Sequence, residues 1–506
     1  MPVKPTDIKS LSNLHGTFRQ SIDNLFNLFN SDSGSIMDRY NETTKDIQQI
    51  LSRAEQEKRQ VRAMGANWSF TKVAYNNDWI LSTTRLNMMK RILPEELLDA
   101  SSFQLDHFLF CQCGCAIQEI SKSLKPLGRA LSTSGASNGQ TIAGASGTGT
   151  HGAALNFGAV QDFIVGLHII VGPQRHVYLE PASRPIVSQV FLEKIQAELI
   201  RDDSLFAAAL VAFGSFGFIH GMMLETEPLY LLNAFRLRLP FDSVRDLLRT
   251  LDFSSVDFLP FSTERPFHFQ FLINPYDLAS GIYMTVMYKR NYRTGYSPPV
   301  EDRTKAGPGE DAPAFLGRLT GQLPVVTPLV VNKIVHSAYE PYQDVWGTLN
   351  EIFSNTDLQG RILSTAIGIP AEHVNTVSNM LLELNKSAGP FVGVFAFRYV
   401  KKSKASLAFT KFDTTCVVEL DSVEFGNTRQ FYESAWQELE QRGIPHSFHW
   451  GKINNLDPEK IKTIYGTNRD EWVLARNKLL SPSMREIFSS ETLYNLGLDE
   501  QPLLPV

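Results

Sequence analysis

The sequence predicts an α+β fold in two parts. Two observations carry this. Up to about residue 232, helical apolar stripes alternate with short β-branched strands and glycine turns. Beyond it Phe, Tyr and Pro rise, as in "PFHFQFLINPY" (266–276). A chain of 506 residues corresponds to about three domains, or two large ones.

The elements follow in order. Phe18, Ile22, Leu25, Phe26 and Phe29 form a helical stripe, and Ile47, Ile50, Leu51 and Ala54 repeat it. "VRAMGANWSF" (61–70) and "WILSTTRL" (79–86) read as strand, glycine turn, strand, and "FLFCQCG" as a further strand. Ile117, Ile120 and Leu124 predict a helix that ends near Pro126 and Gly128. "FIVGLHIIVG" (163–172) is a buried strand, and 205–229 a helix running through a glycine turn into a strand. In the second part, 391–400 and 414–420 read as strands, and 369–384 as a helix with Val374, Val377, Leu381 and Leu384 on its apolar side. The Pro/Gly-rich stretch 297–313 reads as a mobile surface loop.

A net charge of −5 gives no electrostatic reason to expect nucleic acid. No run of about 18 apolar residues is present to span a membrane, and the N-terminus lacks a signal-peptide core, so the expected compartment is cytoplasmic. Cys111, Cys113 and Cys115 alternate on one strand face. A flat strand converges poorly on a metal, so they read as buried structural thiols and no metal is expected.

The stretch "GQTIAGASGTGTHGAALNFG" (139–158) holds six glycines in twenty positions. Glycine loses the most backbone freedom on folding, so ordering this stretch is costly. Its backbone N–H groups and hydroxyls suit a phosphate or pyrophosphate cradle; a plain loop at a tight packing spot is the other reading. No Gly-Lys-Ser/Thr follows, so it is no Walker loop, and the doubly wound dinucleotide fingerprint is absent.

Four ordered motifs carry a resemblance. "QTIAGASGTGTHG" (140–152) is similar to the FAD-cradling loop of the vanillyl-alcohol-oxidase-like (PCMH-type) flavoproteins, in the form found in alditol and aldonolactone oxidases. "VRAMGANWSF" resembles their first pyrophosphate loop, "FGSFGFIHGMMLETEPL" their segment beside the flavin, and "HWGKINNLDPEKI" (449–461) their C-terminal "HWGK" segment. The resemblance implies a PCMH-type two-part FAD-binding domain with an α+β cap over the flavin: residues 1–232, a cap over 233–425, and a return to the FAD domain over 426–506. It implies that FAD is held by Gly65, Ala66, Asn67, Trp68 and Ser69 of the first loop, and by Gly135, Ala136, Ser137 and Thr141 ahead of the second. Gly144, Thr148, Gly149, Thr150, His151 and Gly152 follow in that second loop, with Gly217 and Ile219 beside the ring.

Three departures from the family pattern matter. The His that many members use to bind FAD covalently aligns with Trp68, or in a second register with Ala66, and no downstream Cys offers a second link. Non-covalent FAD is expected, with His151 structural. The Glu-x-Arg pair of polyol-oxidising members appears as Ala396 and Arg398, so the carboxylate is missing while Arg398 and Lys452 of "HWGK" are kept. Two such cations stabilise an anionic reduced flavin. His268 alternates with Phe267 and Phe269 and is a candidate base; His336 and His449 are weaker ones. Finally, Gly135 stands where a small residue in this family governs oxygen access, although a one-residue shift would put Ala136 there.

The expectation is an FAD-dependent oxidase. It takes a hydride from a C–OH or C–NH carbon of a moderately apolar small molecule and reduces O2 to hydrogen peroxide. The alternatives are a sugar-lactone or alditol dehydrogenase passing electrons to a quinone or cytochrome, a flavoprotein of natural-product tailoring, and a flavoprotein-derived binding protein.

Overall fold

The computed structural model describes residues 3–99, 105–254, 256–300, 305–310, 328–356, 361–424 and 426–499. Two sheet systems face each other across a deep cleft. The first contains a four-stranded sheet in which Asn24–Leu28 and Val61–Met64 flank Trp79–Ser82, both parallel to it. A six-stranded sheet follows, in the order Glu198–Arg201, His176–Glu180, Ile164–Ile170, Phe218–Glu225, Phe108–Gln112 and Met89–Arg91. The Ile36–Glu57 helix buries Ile47, Ile50, Leu51 and Ala54, the predicted stripe. It starts from Ser35, whose hydroxyl accepts from the Asp38 N–H, a capping box worth about 1 kcal/mol.

Residues 18–29 do not form the predicted helix. They give the strands Arg19–Ser21 and Asn24–Leu28. The apolar residues fit a helical period, but Leu25 packs with Ile22, Met64, Tyr75 and Ile80, while Phe26 and Leu28 pack with the Ile36–Glu57 helix. With apolar residues on both faces of the strand, Ile22, Leu25, Phe26 and Phe29 fall at spacings of three and four, which periodicity alone does not tell from a helix. Cys111, Cys113 and Cys115 are buried and unbridged. Among the described residues no helix is long and apolar enough to cross a membrane, and no group of His, Cys, Asp and Glu converges on a metal position.

The second system is an eight-stranded sheet in the order Tyr342–Gly347, Tyr230–Leu239, Ile282–Asn291, His268–Ile273, Gly393–Lys401, Thr414–Val423, Ile362–Pro370 and Ser447–Phe448. Side chains alternate across it. Phe269, Phe271, Phe395, Phe397, Tyr399, Val418 and Leu420 form a core with the helices Phe241–Thr250, Val374–Ser387 and Thr428–Gln441. The opposite face carries Gln270, Leu272, Ala396, Arg398 and Glu419 and looks toward the cleft. This unit runs on past residue 425, because the Thr428–Gln441 helix and the Ser447–Phe448 strand pack in it. Of the predicted loop 297–313, residues 301–304 and 311–313 lie outside the described residues, and 305–310 are tied down by Arg236, which donates to the Ala306 and Gly307 carbonyls at 3.1 and 2.9 Å.

Candidate functional site

The cleft holds about 1450 Å³ of empty space and is lined from both sheet systems. Gly65, Ala66, Asn67, Trp68 and Ser69 line it directly after the Val61–Met64 strand. They are joined to the "HWGK" segment: Phe70 N–H donates to the Gly451 carbonyl at 2.7 Å, and Thr71 Oγ1 to that of Trp450 at 2.8 Å. Two motifs nearly 400 residues apart in sequence thus form one wall.

Gly135, Ala136, Ser137, Thr141, Gly144, Thr148, Thr150 and His151 line the next wall, with Gly217 and Ile219 beyond them. The predicted glycine loop contains a short helix, Ile142–Thr148, which ends at Gly149 in the left-handed conformation. Ile142 and Ser146 face the protein, and Thr141, Gly144, Ala145 and Thr148 line the cleft. Gly147 also lines it, and a Cβ there would meet nothing nearer than Phe213 N at 3.9 Å. Packing within the protein therefore does not require glycine at 147, although glycine weakens a helix by roughly 0.5–1 kcal/mol against alanine. What it leaves is open room in the cleft for a close ligand. Gly149 and Gly152 lie off the wall: the first ends the helix, and a Cβ on the second would sit 2.4 Å from the Ser134 carbonyl oxygen.

The polar face of the eight-stranded sheet contributes the charged groups. Arg398, 5% exposed, donates through Nε to Gln270 Oε1 at 3.2 Å and sets Nη1 3.1 Å from Glu419 Oε2. Lys452 Nζ donates to Glu419 Oε1 at 2.5 Å. Sequence reasoning missed Glu419. It sits on the strand beside Arg398, directly opposite Ala396, so the carboxylate missing from the Glu-x-Arg position stands one strand away. Burial works to raise its pKa, but the Arg398 guanidinium and Lys452 ammonium outweigh this and hold it well below the usual carboxylate range. The three groups carry a net charge of about +1.

His151 has its Nε2 3.9 Å from Glu419 Oε1, and its Nδ1–H donates to the Gly152 carbonyl at 3.0 Å. Burial, against the pull of Glu419, lowers its pKa to about 4, so the ring is neutral at pH 7. His449 lines the cleft with its pKa pushed down by burial and by His151 and Lys452; its Nδ1 accepts from the Gly451 N–H at 3.0 Å. His268 is off the wall. It is buried beside Phe353, and burial followed by Arg398 lowers its pKa to about 3. His336 is half-exposed and bonds Asp277 at 3.0 Å. His15, also missed, reaches the cleft from the N-terminal segment. Its Nε2 donates to the Trp68 carbonyl at 2.8 Å and its ring stacks on Phe70 at 4.0 Å.

These residues fit a bound flavin nucleotide. His15 Nδ1 and Gln140 Oε1 are buried on the cleft wall without hydrogen-bond partners among the described residues, and the helix turns its small residues toward the same space. Buried polar atoms left unpaired are rare unless a ligand or water completes them. A second, much smaller cavity shares Arg398 with the cleft and is walled by Gln270, Thr285, Tyr283 and Ala396; Tyr283 Oη has no partner there among the described residues.

Residues 39–174 match the family model described as FAD binding domain. A putative D-arabinono-1,4-lactone oxidase of Neurospora crassa is 24% identical over 47% of this chain and 39% of its own length. An L-gulonolactone oxidase of Scyliorhinus torazame is 27% identical over 25% and 27%, and an L-gulono-1,4-lactone dehydrogenase of Mycobacterium tuberculosis 24% over 46% and 44%. The chain spans less than half the length of these relatives. Among solved structures, a cholesterol oxidase from B. sterolicum superposes with a TM-score of 0.69 at 13% identity, covering 98% of this chain and 97% of that one. A solvent-stable cholesterol oxidase gives 0.65 at 14%, covering 97% of each.

Proposed function

We propose that this chain, a vanillyl-alcohol-oxidase-like flavoprotein with an FAD-binding domain and an α+β cap, oxidises an alcohol carbon of a neutral, hydroxyl-bearing small molecule of the sugar-lactone kind and passes the electrons to O2. The buried Arg398–Glu419–Lys452 cluster on the wall of the FAD cleft carries this reading. The sequence expectation of a moderately apolar substrate did not reckon with Glu419, which sets a carboxylate beside Arg398 from the neighbouring strand. Gln270, Thr285 and the unpartnered Tyr283 hydroxyl in the adjoining cavity supply partners for substrate hydroxyls, which an apolar substrate would leave unpaired at about 1–3 kcal/mol each. The resemblance to lactone oxidases supports the same class.

FAD, when bound, supplies the two-electron acceptor for the hydride leaving the substrate carbon. The chain's own residues do the rest. The wall at 65–69 and the wall that includes Thr141, Gly144, Thr148 and His151 would hold the cofactor without a covalent link, since Trp68, or Ala66 in the second register, stands at the position the linking His takes in the family. Arg398 and Lys452, both on the cleft wall, would supply positive charge to a ring that gains negative charge on reduction. The hydroxyl proton leaves toward an acceptor on the cleft wall. Gly135 favours O2 over a quinone or cytochrome: a Cβ there would lie 3.0 Å from Thr150 Cγ2, so an alanine would use up the space between them.

The test is anaerobic mixing of the holoprotein with aldonolactones, sterol-like alcohols and amines, followed by air. The lactones should bleach the flavin, and air should restore it with one hydrogen peroxide per turnover. Bleaching by sterol-like alcohols alone, or by none of the compounds, refutes the substrate class. Bleaching that air does not reverse refutes the acceptor.

A further inference from the structure

The position of Glu419 goes further, resting on the reading above. Ala396 and Glu419 are a directly opposed antiparallel pair, and such partners hold their Cβ atoms about 4.5–5.5 Å apart on one face. A carboxylate on either one therefore reaches the same neighbourhood beside Arg398. We propose that Glu419 does two tasks: it holds Arg398 and Lys452 in place and accepts the hydrogen bond of the substrate hydroxyl.

The geometry allows both. Oε1 is occupied by Lys452 at 2.5 Å. Oε2 lies 3.1 Å from Arg398 Nη1 yet completes no hydrogen bond, and it is buried. An ionised carboxylate offers about four acceptor positions, so capacity remains on the cleft side. Because its pKa is held far down by the two cations, Glu419 remains ionised and is an acceptor throughout the neutral range. Glu419 lines the FAD cleft, Ala396 lines the second cavity, and Arg398 lines both. The pair thus spans the boundary between cofactor and substrate space.

Two effects of losing the charge run in opposite directions, which separates this role from that of a simple counter-ion. Glu419→Gln removes negative charge beside the ring, so the flavin midpoint potential, read against a reference dye without substrate, should rise. A higher potential alone would speed hydride uptake. The proposal expects flavin reduction by the best lactone to slow instead, roughly 10- to 100-fold, as for a lost hydrogen bond to a charged group. Ala396→Glu combined with Glu419→Gln should recover most of that rate. Should the Gln variant not hold FAD, Glu419→Asp decides: it keeps the charge and shortens the reach, so slowed reduction at a near-unchanged potential is expected. Reduction by Glu419→Gln or Glu419→Asp as fast as by the wild type overturns the substrate contact. An unmoved potential in the Gln variant removes Glu419 from the flavin edge, and this holds even if no lactone proves to be a substrate. A wild type that no lactone reduces would sink the functional reading and the substrate contact with it, leaving the potential as the separate test of placement.

Discussion

Gly147→Ala should strengthen the empty protein and weaken the loaded one. The residue lies in the Ile142–Thr148 helix, and an added Cβ meets no protein atom nearer than 3.9 Å. Without ligand the change gains about 0.5–1 kcal/mol of helix stability. In a chain of 506 residues that raises the melting temperature by only roughly 0.5–1 °C. The same methyl projects into the cleft where the cofactor packs, and overpacking a well-fitted contact costs about 1–3 kcal/mol, or roughly a 5- to 150-fold weaker Kd. A tenfold loss at a fixed hundredfold excess of FAD over the wild-type Kd removes about 1.3 kcal/mol of ligand stabilisation. Differential scanning fluorimetry with and without FAD, together with flavin-fluorescence titration, reads both quantities. A variant that binds FAD as tightly as the wild type would refute the placement of the cofactor against this helix. A less stable apoprotein would refute the packing argument.

Three further outcomes follow. Gly135→Ala should slow reoxidation of the reduced flavin by O2 at least several-fold while leaving its reduction near normal; an unchanged stopped-flow reoxidation rate removes Gly135 from the oxygen path. Acid precipitation of the holoprotein should leave the yellow colour in the supernatant. Colour retained in the pellet would contradict non-covalent binding and direct peptide mapping to His15, whose Nδ1 has no partner among the described residues. Stability should fall as pH drops below about 6.5. His15 and His151 are lowered to about 4, and His220 and His268 to about 3, each by burial first. In that window the unfolded chain binds protons that the native state refuses, at up to about 1.4 kcal/mol per pH unit for each histidine. Thermal melts from pH 7 to pH 5 should show this loss, and His220→Gln should flatten the slope; a flat wild-type profile would contradict the neutral buried rings.

Much of the site was legible because it lies in local motifs. The strand before "GANWSF", the "FGSFGF" turn and the aromatic strands declare themselves by pattern, and the structure brings the first two to one cleft. Arg398 was legible through the resemblance, as the Arg of a Glu-x-Arg pair whose first member is Ala396 here. Glu419 was not: it is 21 residues from Arg398, and only the register of the hairpin sets it opposite Ala396. Its own strand, "TTCVVEL", reads as an ordinary buried strand. His15 was hidden for a similar reason, since nothing local tells that the Leu14 N–H bonds the Asn67 carbonyl at 3.0 Å and carries its neighbour to the cleft. The 18–29 segment misled because burial on both faces erases the period that separates strand from helix. The glycine stretch was legible as a ligand wall but not as a helix, because seven residues rich in glycine carry no apolar stripe.

The hairpin that joins Arg398 to Glu419 also bears on how such sites can change over time. Opposed positions on neighbouring strands are interchangeable in space, so an acidic group can cross from one strand to the other through two point substitutions, with no insertion and no movement of the main chain. A lineage passing through the doubly acidic intermediate would keep a carboxylate at the site throughout. Motif searches that demand both residues on one strand would score every descendant of that route as inactive. Pairing positions across the hairpin, rather than reading along one strand, is the way to recognise them.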